Sequence, residues 1–260
     1  MADGCALRIG EDGKGERAVV LLHGYLESLE VWEEFTPLLT PHFRVIAPDL
    51  PGHGISEVKG TTHTMEYMAD VVAAAAAQLD VVKFLVVGHS MGGYVAAELV
   101  RKYPERLTGV VMLHSTPNAD GEAKKEARLR EIELVEAGKK ELIARTNAEK
   151  RFAADNLVRC AVQIEELTEQ VILTEDEGVA AALRGMTARR DNNEAMRSSA
   201  VPQLFIFGRK DEHIPVEVAQ KVIEAQPQAR VAWLDNSGHM GFIEEPEKCA
   251  EAIIDFAATL

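Results

Sequence analysis

The sequence predicts an α/β fold: a mostly parallel central sheet with helices on both faces. Short runs rich in Val, Ile, Leu and Phe recur without strict polar alternation, as in strands covered on both sides. Amphipathic stretches of helical period lie between them, and such alternation calls for crossover connections between parallel strands. At 260 residues the chain can hold one large α/β domain or two small ones.

Taken in order, the runs place strands at residues 18–22, 43–48, 84–88, 109–114, 203–207 and 230–234. Helical patterns fill 28–39, 64–79, 91–103, 216–225 and 246–257. Pro104, Pro202 and Pro246 stand at element edges, where a missing N–H does least harm. The alanine run Ala73–Ala77 suits a close helix–sheet contact. Gly10–Gly15 reads as a turn between short strands and lacks the lysine and Ser/Thr of a phosphate-binding loop.

One segment breaks the alternation. Residues 117–199 contain no convincing strand and read as four helices, at 120–137, 139–148, 155–171 and 175–190. In the last, Val179, Ala182, Leu183 and Met186 form one apolar stripe at i, i+3, i+4, i+7. A helical insert between parallel strands is expected to be a lid over their carboxyl edge, where such sheets bind ligands. The division expected is a core of residues 1–116 and 200–260 and a lid of 117–199.

Composition narrows the partners. Forty-two acidic against 28 basic residues give a net charge of −14, which argues against nucleic acid or an anionic membrane surface. Lys124-Lys125 and Arg189-Arg190 lie among acids and read as solvated helix faces. Three scattered cysteines, Cys5, Cys160 and Cys249, suit a reducing compartment. No signal-peptide pattern opens the chain, and no apolar run approaches the roughly 18 residues of a membrane span. A cytoplasmic protein, monomer or homodimer, is the expectation.

The stretch FLVVGHSMGGYVAAELV carries the chemistry. Gly88-His89-Ser90-Met91-Gly92 fits G-x-S-x-G with a strand before it and a helix after it. Such a turn lifts the Ser90 hydroxyl off the sheet edge, and Gly88 and Gly92 remove the side chains that would collide there. A serine needs a base, and the base an orienting acid. His239, in NSGHMGFIEEP after the last strand, and Asp211, in FIFGRKDEHIP after the preceding one, supply them in the order Ser, Asp, His. Glu212 adjoins Asp211, and an acid after a strand is commonly only a turn residue. Backbone N–H groups of Met91 and of Tyr25, in LLHGYLES, are candidate oxyanion donors. His23, His53 and His89 read as structural, and His114 as a pocket-lining residue at a strand end.

These segments, with VIAPDLPGHGISE, resemble the α/β-hydrolase fold superfamily, and specifically its capped serine esterase-like group. They cover the chain apart from the insert, in family order and spacing. The resemblance implies Ser90 as nucleophile, His239 as base, Asp211 as acid, Tyr25 and Met91 N–H as oxyanion hole, and the insert as a helical cap following the sixth strand. Only ALRIGEDGKGE precedes the first strong strand, short for the family's leading hairpin. Haloalkane dehalogenases and epoxide hydrolases of this fold use an aspartate where this chain has Ser90. No metal motif such as H-E-x-x-H occurs, and no cofactor is expected.

The reaction expected is hydrolysis of small, partly apolar carboxylic esters through an acyl-enzyme. The acidic net charge disfavours anionic substrates at long range, while Arg145, Arg151 and Arg159 offer local sites for a carboxylate. The same triad also serves carbon–carbon bond hydrolysis, perhydrolysis and lyase chemistry, and the fold also serves ligand-binding homologues.

Overall fold

The computed structural model describes residues 4–260. Its strands are β1 (Ile9–Asp12), β2 (Ala18–Leu22), β3 (Arg44–Pro48), β4 (Phe84–His89), β5 (Leu107–Leu113), β6 (Gln203–Gly208) and β7 (Arg230–Leu234). Its helices are α1 (Thr36–Leu39), α2 (Met65–Gln78), α3 (Met91–Lys102), α4 (Glu122–Glu136), α5 (Lys140–Ala148), α6 (Ala161–Leu173), α7 (Asp176–Thr187), α8 (Asn193–Ser198), α9 (Val216–Ala225), α10 (Gly241–Glu244) and α11 (Pro246–Ala257). No helix among the described residues is long and apolar enough to cross a membrane.

The sheet order is β1-β3-β2-β4-β5-β6-β7, parallel throughout except for β1 against β3. Each inner strand divides its side chains between two apolar layers. Val20, Val86, Val110 and Met112 join α2, α3 and α9 on one face. Val19, Leu21, Leu85, Val87, Val111 and Leu113 join α1, α10 and α11 on the other. With both faces covered, no position favours a polar residue, which is why these strands read as unbroken apolar runs. The chain goes from β2 outward to β3, then back across to β4 on β2's other side. Loops after β2 and β4 therefore diverge over a topological switch point, where a crevice forms at the strands' carboxyl ends.

Between β5 and β6 every regular element is helical, α4 packing on α7 and α5 on α6. The α7 stripe Val179, Ala182, Leu183 and Met186 is buried as expected. Two glycines bring α7 close to the core: a Cβ on Gly178 would strike the Gly52 carbonyl, and one on Gly185 the His63 carbonyl. His63 N–H donates to Ala181 O at 3.0 Å between them.

Three expectations change. The insert follows the fifth strand rather than the sixth, because a single strand, β1, stands where a leading hairpin would supply two. The helix expected over 28–39 is a 3₁₀ turn, Leu29–Trp32, followed by the short α1, with Pro37 in its first turn. The third helix of the insert starts late: a 3₁₀ turn, Ala154–Asn156, precedes α6, and the six-residue α8 closes the segment.

Candidate active site

Ser90 sits between β4 and α3 at φ 49°, ψ −111°, left-handed space that a serine enters only when its surroundings force it, at a cost of about 1–3 kcal/mol. Three bonds hold it there. Its N–H donates to Leu113 O at 3.0 Å, and its carbonyl accepts from Gly93 N at 3.0 Å and Ser115 Oγ at 2.7 Å. A Cβ on Gly88 would strike the Gly92 carbonyl, and one on Gly92 the carbonyl of Leu22 on β2. The glycines flanking the serine are thus required by backbone approaching backbone.

Asp211 follows β6 and His239 follows β7. Asp211 Oδ1 accepts from the N–H groups of His213 at 2.8 Å and Ile214 at 3.0 Å. Its Oδ2 meets His239 Nδ1 at 2.8 Å and His114 Nδ1 at 3.3 Å. Four donors fix the carboxylate. Burial pushes Asp211 upward, but electrostatic interaction with His239 and hydrogen bonds from His114 and His239 outweigh it and hold the acid well below its ordinary 3.8. Glu212, its neighbour, is exposed. Burial lowers His239 from 6.5 to about 3 against the pull of Asp211, so its imidazole is neutral at ordinary pH. With the Nδ1 proton on Asp211, the Nε2 lone pair is free to accept another.

His114 does not line the cavity as expected from sequence. Its Nε2 accepts from Gly241 N at 3.2 Å, which leaves the proton on Nδ1 and points it at Asp211. His114, Asp211 and His239 place ligand-type atoms within 4.8 Å of one another. Both Nδ1 atoms are already spent on the same carboxylate oxygen, a donor set that satisfies itself without an ion.

The loop after β2 is fixed by a buried acid that sequence reasoning missed. Glu27 Oε2 accepts from Gly24 N at 2.6 Å and faces His89 Nδ1 at 3.0 Å; Arg151 Nη1 approaches Oε1 at 3.4 Å. Burial would raise Glu27, yet His89 and Arg151 bring it down to about 2. Arg151 also donates to Tyr25 O at 3.1 Å, and its own carbonyl accepts from His239 N at 2.6 Å. A ring of contacts thus ties the Gly24–Tyr25 backbone, His89 and His239 to the insert. The motif LLHGYLES carried one signal, an acid within an otherwise apolar and small segment. His23 buttresses the same loop, as expected, its Nε2 accepting from Leu50 N at 2.9 Å.

Ser90, His239, Tyr25 and Met186 line a cavity of about 240 Å³ that α4 closes with Lys124, Ala127, Arg128 and Glu131. Met91 N–H, the first of α3, has no acceptor within its helix. No hydrogen bond joins Ser90 Oγ to His239 among the described residues; the two share the cavity, and unliganded sites often leave this bond open. Of the insert arginines expected near a carboxylate, Arg145 pairs with Glu141 and Arg159 with the Glu244 carbonyl; Arg151 alone lines the cavity, paired with Glu27. A larger cleft of about 590 Å³ beside Glu30, Glu34, Glu166 and Phe242 contains neither Ser90 nor His239.

Fold and site together describe a doubly wound sheet with a serine corner after one strand and an acid–histidine pair after two later ones. A sequence profile of the alpha/beta hydrolase fold matches residues 17–132. Pimeloyl-[acyl-carrier protein] methyl ester esterases are similar over nearly the whole chain. That of Yersinia enterocolitica is 30% identical over 252 residues, 94% of this chain and 95% of the other. That of Sodalis glossinidius is 31% identical over 253 residues, again 94% and 95%. Among solved structures, a thermophilic esterase from Thermogutta terrifontis with malate bound superposes with a TM-score of 0.92 at 31% identity, covering 97% of this chain and 93% of that one. An enol-lactonase from Burkholderia xenovorans shares the fold, with a TM-score of 0.92 at 23% identity over 99% and 98%. The chain belongs to the α/β-hydrolase fold family.

Proposed function

We propose that the protein is a serine hydrolase of small carboxylic esters, with Ser90, His239 and Asp211 as its triad. The observation that carries this reading is the strained Ser90 corner sharing one cavity with an Asp211-bound His239 whose Nε2 is free. Ser90 Oγ attacks the acyl carbon while His239 Nε2 takes its proton. The carbonyl oxygen becomes an anion held by the Tyr25 and Met91 N–H groups, at the positive end of α3. Collapse expels the alcohol, which takes the proton from His239. Water, deprotonated by the same nitrogen, then attacks the acyl-enzyme and releases the acid and Ser90.

A cavity of about 240 Å³ suits a small acyl group. Residues 117–199 serve as a cap over the core of 1–116 and 200–260, since α4 and Arg151 reach the cavity from that segment. Free, buried Cys5, Cys160 and Cys249 support a cytoplasmic setting, and the chain acts as a monomer or homodimer.

Turnover of 4-nitrophenyl acetate, butyrate and octanoate by wild type and Ser90→Ala tests the reading. The expected result is wild-type turnover well above background, greatest for the short esters, and background rates for the variant. Equal rates in both proteins would overturn it.

A further inference from the structure

We propose that the substrate is an ester bearing a carboxylate at the end remote from the reacting bond, seated on Lys124; this rests on the ester hydrolase reading. The cavity-facing side of α4 is Lys124, Ala127, Arg128 and Glu131, at i, i+3, i+4 and i+7. Lys124 is exposed, as its sequence context suggested, and also lines the cavity. The face of α4 that lines the cavity with Ser90 is therefore charged.

Its charges are not balanced. Asp120 accepts from both Arg128 Nε at 2.7 Å and Arg189 Nη1 at 2.8 Å. Glu27 is shared between Arg151 and His89. Each of these buried carboxylates thus serves two basic side chains, and Lys124 has no ion pair or side-chain hydrogen bond among the described residues. Glu131, the other acid on this face, lies two turns along α4, roughly 10 Å from Lys124 by helix rise, and binds the Tyr25 hydroxyl at 3.0 Å. Burial raises Glu131, towards its neutral form. Tyr94, on the cavity wall, reports the excess: burial raises its phenol, yet Arg189, Lys124 and Arg128 bring it below the ordinary 10.0.

Helix energetics do not account for the lysine. Lys124 stands in the first turn of α4, whose dipole disfavours a cation. The net charge of −14 does not argue against an anionic ligand here, because surface charges beyond about 8 Å are screened at physiological salt while Lys124, on the cavity lining, is within direct reach of a bound ligand.

Two esters of equal chain length separate the contributions: the mono-4-nitrophenyl ester of glutaric acid, and 4-nitrophenyl pentanoate. Wild type is expected to favour the glutarate in kcat/KM by about tenfold, the scale of one hydrogen-bonded charge pair. That ratio should fall towards one in Lys124→Ala, invert in Lys124→Glu and return in Lys124→Arg. Because each ratio is internal to one protein, loss of folded enzyme cannot imitate the result. An unchanged ratio in Lys124→Glu, with pentanoate cleaved, would overturn the subsite and leave the hydrolase standing. If neither ester is cleaved, the hydrolase reading fails, and calorimetry of glutarate binding decides the subsite: equal affinity in wild type and Lys124→Glu rejects it.

Discussion

His89 Nε2 donates to the carbonyl oxygen of His239 at 2.9 Å, so the residue before the candidate nucleophile holds the backbone of the candidate base. A carbonyl can only accept, which fixes a proton on Nε2. Nδ1 faces Glu27 Oε2 at 3.0 Å. His89→Ala removes both bonds and leaves buried Glu27 with the Gly24 N–H and Arg151 as its partners. The expected result is a fall in kcat of ten- to a hundredfold with little change in KM, and a loss of about 2–4 kcal/mol in stability. His89→Gln should recover part of each. Steady-state kinetics beside urea unfolding measures both; an unaltered kcat would remove His89 from the positioning of His239.

With His239 as the proposed base, its neutral imidazole is predicted to set the pH profile. The base must be unprotonated, and burial lowers it from 6.5 to about 3. Activity lost to protonation of a lowered group disappears only as pH falls towards that lowered value. The acid limb of kcat/KM is therefore expected below pH 6.5, and an inflection at 7 or above would contradict this burial-dominated account.

His114 provides a second test of the acid. Its N–H shares Asp211 Oδ2 with His239. Two donors on one oxygen reduce what that oxygen gives to either. His114→Leu should leave the carboxylate more basic, stabilise imidazolium at His239 and move the acid limb of kcat/KM to higher pH. A limb that stays in place or moves down would assign His114 to packing alone.

Gly185 is predicted to matter for stability and not for chemistry. A Cβ there would strike the His63 carbonyl, and neither backbone can withdraw without opening the α7 contact. Gly185→Ala should cost about 1–3 kcal/mol, or several degrees in Tm, at nearly unchanged kcat per folded molecule. Differential scanning calorimetry with active-site titration reads both numbers.

The parts of the fold that could be read from sequence are those with one dominant environment. The inner strands are covered on both faces and left an apolar record along most of their length. β1 left little, since IGED is half-exposed at an edge and pairs only with β3. The 28–39 segment has helical period but breaks between Trp32 and Thr36, so periodicity overstated its continuity. At the site, Ser90, Asp211 and His239 each follow a strand, and the sheet's parallel order brings such residues to one edge. Glu27 was missed, and His114 and Arg151 were given other roles, because what they do depends on partners far along the chain. Glu27 meets Arg151 from 124 residues away and His114 meets Asp211 from 97. No local pattern encodes such a pairing.

Two helices of the insert that pack on each other, α4 and α7, meet the rest of the protein in different ways. α7 approaches the core backbone to backbone, through glycines that admit no larger residue, while α4 reaches the cavity through side chains at exposed positions 124 and 127 and half-buried 131. The close backbone joint is therefore confined to α7, while both helices line the cavity, α7 through Met186. An engineer exchanging the exposed residues 124 and 127 alters the cavity wall without touching either glycine contact, whereas a larger residue at 178 or 185 would force α7 off the core backbone.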